Sequence, residues 1–270
     1  MSDEKKRLKL EKERKRDKNM ACSVPFDKKD LCISFFVFKP TVVIVDDLVH
    51  VLEEFSLSTE ALGCVQGSIF RSIHGNMIIW YGAWQKQSKK EKMQLISTLK
   101  SMLTNISSMA VLTEHSFLEA YAGESIDGSS TAKFSTGDII SMNSIVIASS
   151  DLNDLNDLCY AVLALFRCRF AKMEGITAGL CLKGQSIPRV VCIHVWKSLH
   201  SCYSWILSSD HRKWMKPYLE RFSTDMKYDI FRVVYVSGDD SIANLNYVPP
   251  HQMLDNETEG TQIRGQAMNN

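Results

Sequence analysis

The stretch SIFRSIHGNMIIWYGAW, residues 68–84, gives the clearest indication of fold in this 270-residue chain. In SIFRSI every second residue falls on one face, as in a β-strand. MIIWY is apolar on both faces, which is typical of an interior strand that is covered on both sides. The tripeptide between them, His-Gly-Asn, has the composition of a tight turn. The stretch therefore predicts a β-hairpin with a buried second strand.

His74 lies at the tip of this predicted hairpin, and we interpret it as a turn residue with a structural role at most. A catalytic histidine needs a partner that sets its tautomer and pKa. His115 and Asp127 could approach it if strands 77–84 and 108–113 are neighbours. These three residues are the candidates for a catalytic site.

Working outward from the hairpin, the apolar pattern alternates between strand and helix periods. LCISFFVFK (31–39) is rich in β-branched and aromatic residues and predicts a strand. Residues 41–55 have apolar side chains at helical spacing. Ser88 and Glu91 have the spacing of a capping box, and they precede a helical stripe of Met93, Ile96, Leu99 and Leu103. With the strand SMAVLT (108–113), the order is β-α-β-β-α-β.

The same order recurs further along the chain, and it is the split βαβ order of ferredoxin-like domains. We predict an α+β fold of two consecutive β-α-β-β-α-β units, with one mixed α+β domain as the alternative. The predicted divisions are a charged disordered tail (1–20), a first unit (21–122), a second unit (123–240) and a disordered tail (241–270).

The composition favours an intracellular protein, in the cytoplasm or nucleus. The net charge is only +1, and the eight cysteines lie mostly inside apolar runs such as GLCLK and VVCIHV. Because no CxxC pair occurs, we interpret them as buried reduced thiols and expect no metal site and no cofactor. The apolar runs are shorter than the ~20 residues of a membrane span, so no membrane association is expected.

The basic residues of the first tail could make weak contact with nucleic acid, although a solvated tail is the simpler interpretation. They are Lys5, Lys6, Arg7, Arg14, Lys15 and Arg16. The composition changes sharply at Met20, which makes an alternative translation start at that residue a further expectation.

Three tryptophans, Trp84, Trp196 and Trp214, are the candidates for a binding face, since tryptophan is typical of core and interface anchors. The loop GESIDGSS (123–130) has the glycine spacing of a phosphate loop, but Ser129 stands where that motif requires lysine. We interpret this segment as a surface loop.

Three stretches carry a resemblance to a known family: VQGSIFRSIHGNMIIWYGAW (65–84), KYDIFRVVYVS (227–237) and FFVFKPTVVIVDDLV (35–49). They resemble a family of plant proteins of unknown function, over residues 20–240. The resemblance implies no activity, cofactor or site residue.

No nucleophile-base pair, metal cluster or phosphate cradle can be assembled from local spacing. This favours a non-catalytic binding module with a protein partner over an enzyme. The alternative is a small-molecule enzyme of the dimeric α/β-barrel type. In that fold paired ferredoxin-like halves enclose an apolar pocket between sheet and helices, with a histidine or aspartate at its mouth.

Overall fold

The structure is a computed structural model, and it describes residues 21–26, 31–148, 152–222 and 225–237. The strands are β1 (Ala21–Pro25), β2 (Leu31–Pro40), β3 (Cys64–Ser72), β4 (Ile78–Gln85), β5 (Ala110–Ser125), β6 (Thr131–Ser135), β7 (Ile139–Val146), β8 (Ile176–Gly184), β9 (Arg189–Trp196) and β10 (Asp225–Ser237). The α-helices are α1 (Val45–Glu60), α2 (Lys89–Met102), α3 (Leu152–Arg169), α4 (Leu199–Ser208) and α5 (His211–Phe222). Short 3-10 turns follow α2 (Leu103–Ser108) and α3 (Phe170–Lys172).

The tails predicted to be disordered lie outside the described residues, and so do the six basic residues of the first tail. The predicted contact with nucleic acid therefore stays a prediction.

Eight strands close a barrel in the order β10-β3-β4-β2-β5-β8-β9-β7. Every neighbouring pair is antiparallel. The strands of the first half (β2 to β5) lie in the order β5-β2-β4-β3, and those of the second half (β7 to β10) lie in the equivalent order β10-β7-β9-β8. The predicted α+β class, with ferredoxin-like order, is confirmed. The division at residue 122 stays a prediction, and β5 runs past it to Ser125.

The inside of the barrel is filled by side chains. Alternate residues of each strand point inward, such as Phe35 on β2 and Tyr81 on β4. β1 and β6 pair as a separate two-stranded ribbon. Phe134 of this ribbon packs among the inner side chains, with its ring centroid 5.5 Å from that of Phe70 and 5.8 Å from that of Tyr81. The barrel interior is thus a packed core.

The other residues of each strand point outward, where the helices cover them. On the first half α1 buries Leu48, Leu52 and Phe55, as the helical spacing predicts. β4 is buried on both faces over residues 78–84, which confirms it as an interior strand. These buried surfaces make an apolar layer between sheet and helices. Burial of this layer stabilises the packing of the helices on the sheet.

Helix α2 begins as predicted. The Ser88 hydroxyl accepts a hydrogen bond from the Glu91 N–H, and the Glu91 carboxylate accepts one from the Ser88 N–H at 2.8 Å. The predicted buried face was partly wrong, because Met93 is exposed. Leu95 and Leu99, one turn apart, form the face that packs on the sheet.

Replacing Ser88 by alanine is expected to lower the free energy of unfolding by about 1 kcal/mol, because the Glu91 N–H loses its hydrogen-bond acceptor. Urea titration would measure this change. Ser97→Ala, at an exposed position inside the same helix, is the matched control and should have no destabilising effect. Equal values for the two variants would contradict a capping role of Ser88.

All eight cysteines are described and free. Seven of them are buried, as predicted, whereas Cys168 is exposed. None of the described helices is long and apolar enough to cross a membrane.

Candidate functional site

A cavity of about 390 Å³ lies in the second half, between the outer face of the sheet and helices α3 and α4. Its walls carry the aromatic side chains of Phe166, Trp196, Trp205 and Tyr228. This volume falls within the range of sites for small organic molecules, which are usually apolar with a few polar groups. The cavity is therefore the candidate functional site.

The floor of the cavity is set by the pairing of three strands. Asn143 on β7 lies between its partners Cys192 on β9 and Tyr228 on β10. His194 is two residues beyond Cys192 and therefore points to the same side of the sheet. The register thus places an amide, a thiol, a phenol and an imidazole on one patch beneath the helices.

Among the described residues of this floor, His194 is the ionisable side chain whose ordinary pKa lies closest to neutral pH. Burial lowers its pKa to about 4, so the imidazole is neutral at pH 7. Its ring lies beside those of Phe166 (centroids 5.9 Å apart) and Trp196 (6.5 Å apart). None of the described residues forms a hydrogen bond with the side chain of His194 or of Asn143. Both are therefore available to a bound molecule.

The remaining polar atoms of the floor are bonded to each other. The Trp196 indole N–H donates to the Ser141 hydroxyl at 2.9 Å. Ser141 is also a side-chain hydrogen-bond partner of Tyr228. Burial raises the pKa of the Tyr228 phenol above its ordinary value, so the phenol stays protonated. This network fixes the floor around His194.

The first half of the barrel has an equivalent pair, in which the Trp84 indole N–H donates to the Ser34 hydroxyl at 2.8 Å. Ser34 pairs with Gly82 across β2 and β4, as Ser141 pairs with His194 across β7 and β9. This register matches Gly82 with His194. It likewise matches Trp80 with Cys192, and Phe36 with Asn143.

The first half has no room for a ligand at the matched place, because aromatic rings fill it. The ring of Trp80 lies over Gly82, where a Cβ atom would overlap it. Phe36 and Phe55 pack against the same ring, with centroids 5.7 Å and 4.9 Å away. In the second half, smaller or polar side chains replace Trp80 and Phe36. This exchange leaves the cavity open and puts an imidazole in its floor.

The structure places the three catalytic candidates of the sequence apart. His74 is an exposed residue of the β3–β4 turn, where its imidazole Nε2 is hydrogen-bonded to the Tyr203 hydroxyl of α4. His115 lies on β5 beside Phe36 (ring centroids 5.9 Å apart), and burial lowers its pKa. The Asp127 carboxylate accepts hydrogen bonds within the turn after β5, which lower its pKa to about 2. None of the three lines the cavity.

The three tryptophan candidates also differ in position. Trp196 lines the cavity, whereas Trp84 is 1% exposed and lies in the core of the first half. Trp214 is on α5, and its side chain lies outside the described part of the structure. Sequence reasoning did not select His194 or Asn143, because their role depends on register and not on local spacing.

Within the described part of the chain, no three histidine, cysteine, aspartate or glutamate side chains lie close enough to hold a metal ion. The charged residues in the lining of the cavity are Arg169, Lys172 and Asp210, of which Lys172 and Asp210 are exposed. The remaining lining residues are apolar or uncharged apart from His194.

Comparison with known proteins identifies similar folds. Residues 116–231 match the family model of a domain of unknown function (DUF7392), which confirms the likeness to an uncharacterised family. No curated protein matches the chain. An anthrone oxidase-like protein is similar over 80% of this chain and 96% of its own, with 13% identity and a TM-score of 0.62. A protein from Fusobacterium nucleatum subsp. nucleatum, assigned as a monooxygenase, is similar over 78% and 95%, with 9% identity and a TM-score of 0.53.

These comparisons correct the interpretation of the chain as a non-catalytic interaction module. These two solved structures of similar fold are described as an oxidase-like protein and a monooxygenase. The cavity lies between sheet and helices, where the alternative interpretation expected it. A search for local motifs could not find this cavity, because three strands, two α-helices and the turns that follow the helices all contribute to its lining.

Proposed function

We propose that the chain is a small-molecule enzyme whose substrate is a mainly apolar, aromatic compound bound in the second-half cavity. The observation that carries this proposal is the exchange of Trp80, Gly82 and Phe36 for Cys192, His194 and Asn143 at matched places. A fold that needed only a packed core at this place would be filled in both halves. The aromatic walls favour a flat ligand, because rings pack well against rings.

The chemistry that the floor supports best begins with a proton transfer to His194. A neutral imidazole can accept a proton from an O–H group or an acidic C–H group of a bound molecule. The amide of Asn143, a diagonal neighbour on the adjacent strand, can donate a hydrogen bond to the oxygen on which negative charge develops. The descriptions of the two similar proteins favour oxidation of an organic molecule, and we propose this reaction class for the chain with molecular oxygen as the oxidant. The acidic CH2 carbon would become a C=O group that keeps one oxygen atom, and the second oxygen atom would leave as water with the two hydrogens. The free thiols favour the cytoplasm or nucleus as the compartment.

Filling the cavity tests the proposal. Asn143→Phe restores the residue type that the first half has at Phe36, and it is expected to weaken binding of anthrone at least about tenfold, because the new ring occupies the ligand space. Binding is measured by quenching of the intrinsic tryptophan fluorescence, to which Trp196 and Trp205 in the cavity wall contribute. Product formation is followed by absorbance.

Asn143→Ala is the matched control, because it removes the amide but widens the cavity. It should retain binding of the apolar probe and lose turnover. Circular dichroism would show that both variants are folded. Unchanged binding in a folded Asn143→Phe protein, or no binding by the wild-type protein, would contradict the proposal.

A further inference from the structure

We propose that His74, from the first half of the barrel, is a positioning residue that holds helix α4 as a wall of the cavity through Tyr203. The inference rests on the proposed function, because it assigns α4 a role in retaining the ligand. It gives the hairpin tip a role that neither a catalytic histidine nor an ordinary turn residue would have.

The turn that carries His74 is fixed at several points. The Gly75 N–H donates to the Ser72 hydroxyl at 2.7 Å, and the Asn76 amide donates to the Pro40 carbonyl at 3.0 Å. The Ile73 N–H donates to the Ile230 carbonyl of β10 at 2.8 Å. A histidine on such a turn has a defined position, although its own side chain is exposed.

This turn also docks onto the second half. The side chain of Ile73 packs against the apolar cluster that contains Trp196 and Cys202. The His74 imidazole Nε2 is hydrogen-bonded to the Tyr203 hydroxyl, and the two ring centroids are 5.7 Å apart. One hydrogen bond and one apolar contact therefore link the turn to the region of α4.

Helix α4 packs on the second-half apolar cluster mainly through side chains that are only partly buried. Of its ten residues only Cys202 is fully buried. Trp205 and Ile206 line the cavity, and Tyr203 lies one turn before Ile206 on the same side of the helix. A short helix with a single buried residue depends on its remaining contacts for its position. Among the described residues, the bond from His74 to Tyr203 is the hydrogen bond that reaches this helix from the other half.

Hydrogen exchange in the ligand-free protein tests the tether without any ligand. His74→Ala and Tyr203→Phe are both expected to speed exchange of the amides of residues 199–209 by about fivefold, the effect of losing one hydrogen bond. His74→Gln keeps a side chain that can bond to the Tyr203 hydroxyl, so it should restore most of the protection. His50→Ala, at an exposed site on α1, is the control.

Dissociation of anthrone tests the consequence for the cavity. His74→Ala should release the probe about fivefold faster than wild type and His74→Gln, with little change in global stability. If the amides of residues 199–209 exchange no faster in His74→Ala than in His50→Ala, the proposed tether is wrong. Failure of the wild-type protein to bind anthrone would instead count against the proposed function, because the exchange experiment needs no ligand.

Discussion

Replacing Trp80 by alanine is expected to lower the free energy of unfolding by about 3–5 kcal/mol. Trp80 is fully buried, and its ring packs against Phe36, Phe55 and Trp84 in the layer between sheet and helices. Truncation removes one of the two tryptophan side chains of this cluster and leaves a hole that the rigid β4 backbone cannot close. Urea unfolding followed by circular dichroism would measure the loss.

Tyr160→Ala is the matched control, because Tyr160 is an aromatic residue of α3 that is 71% exposed. It should change the stability by less than about 0.5 kcal/mol. A loss below about 1 kcal/mol for Trp80→Ala would mean that this ring does not fill the first half. The explanation of the second-half cavity, which rests on the contrast between the halves, would then be wrong.

The second large effect is a dependence of stability on pH that His194 causes. Its pKa of about 4 in the folded protein is below the ordinary value of about 6.5 that it has when unfolded. The unfolded chain therefore binds the proton more readily. The stability that comes from the neutral, partly buried imidazole is complete above pH 6.5, and it is lost as the pH falls from 6.5 towards 4.

Between pH 7.5 and 4.5 this loss should amount to about 2–3 kcal/mol. His194→Asn removes the titrating group. Between pH 7.5 and 4.5 its free energy of unfolding should therefore fall by about 2–3 kcal/mol less than that of the wild type. Asn143→Ala, a change on the same floor without a titrating group, should keep the wild-type slope. Denaturant titrations at several pH values give the comparison. Parallel profiles for wild type and His194→Asn would show that burial does not hold the imidazole neutral.

The same variant separates binding from chemistry in the proposed enzyme. His194→Asn should still bind anthrone, because the aromatic walls are intact, but turnover should fall by at least about a hundredfold if the imidazole accepts the proton. Wild-type turnover in this variant would exclude His194 as the proton acceptor.

Much of the fold could be predicted because its signals are local. The capping box of Ser88 and Glu91, the doubly covered strand at 78–84 and the helical spacing of Leu48 and Leu52 each involve residues that are close in sequence. Met93 was placed on the wrong face because apolar residues on α2 fit more than one stripe, and only the packed sheet decides between them.

The site could not be predicted in this way, because it depends on a comparison between distant strands. IIWYGAW (78–84) and VVCIHVW (190–196) both begin with two β-branched residues and end with tryptophan. Their equivalence becomes clear only when the strand pairing is known. Side-chain size then distinguishes them, with Trp80 and Gly82 on one strand and Cys192 and His194 on the other. A search for identical residues overlooks such a difference.

The closure of the barrel within one polypeptide has a further consequence. The two seams, β5 with β8 and β10 with β3, join halves that are already covalently linked. A barrel assembled from two identical chains carries every substitution twice and dissociates on dilution. In this chain each half can change alone, and closing the seams is an intramolecular step whose equilibrium is independent of protein concentration. One half can therefore specialise in stability while the other accepts the energetic cost of an unfilled cavity between its sheet and its helices.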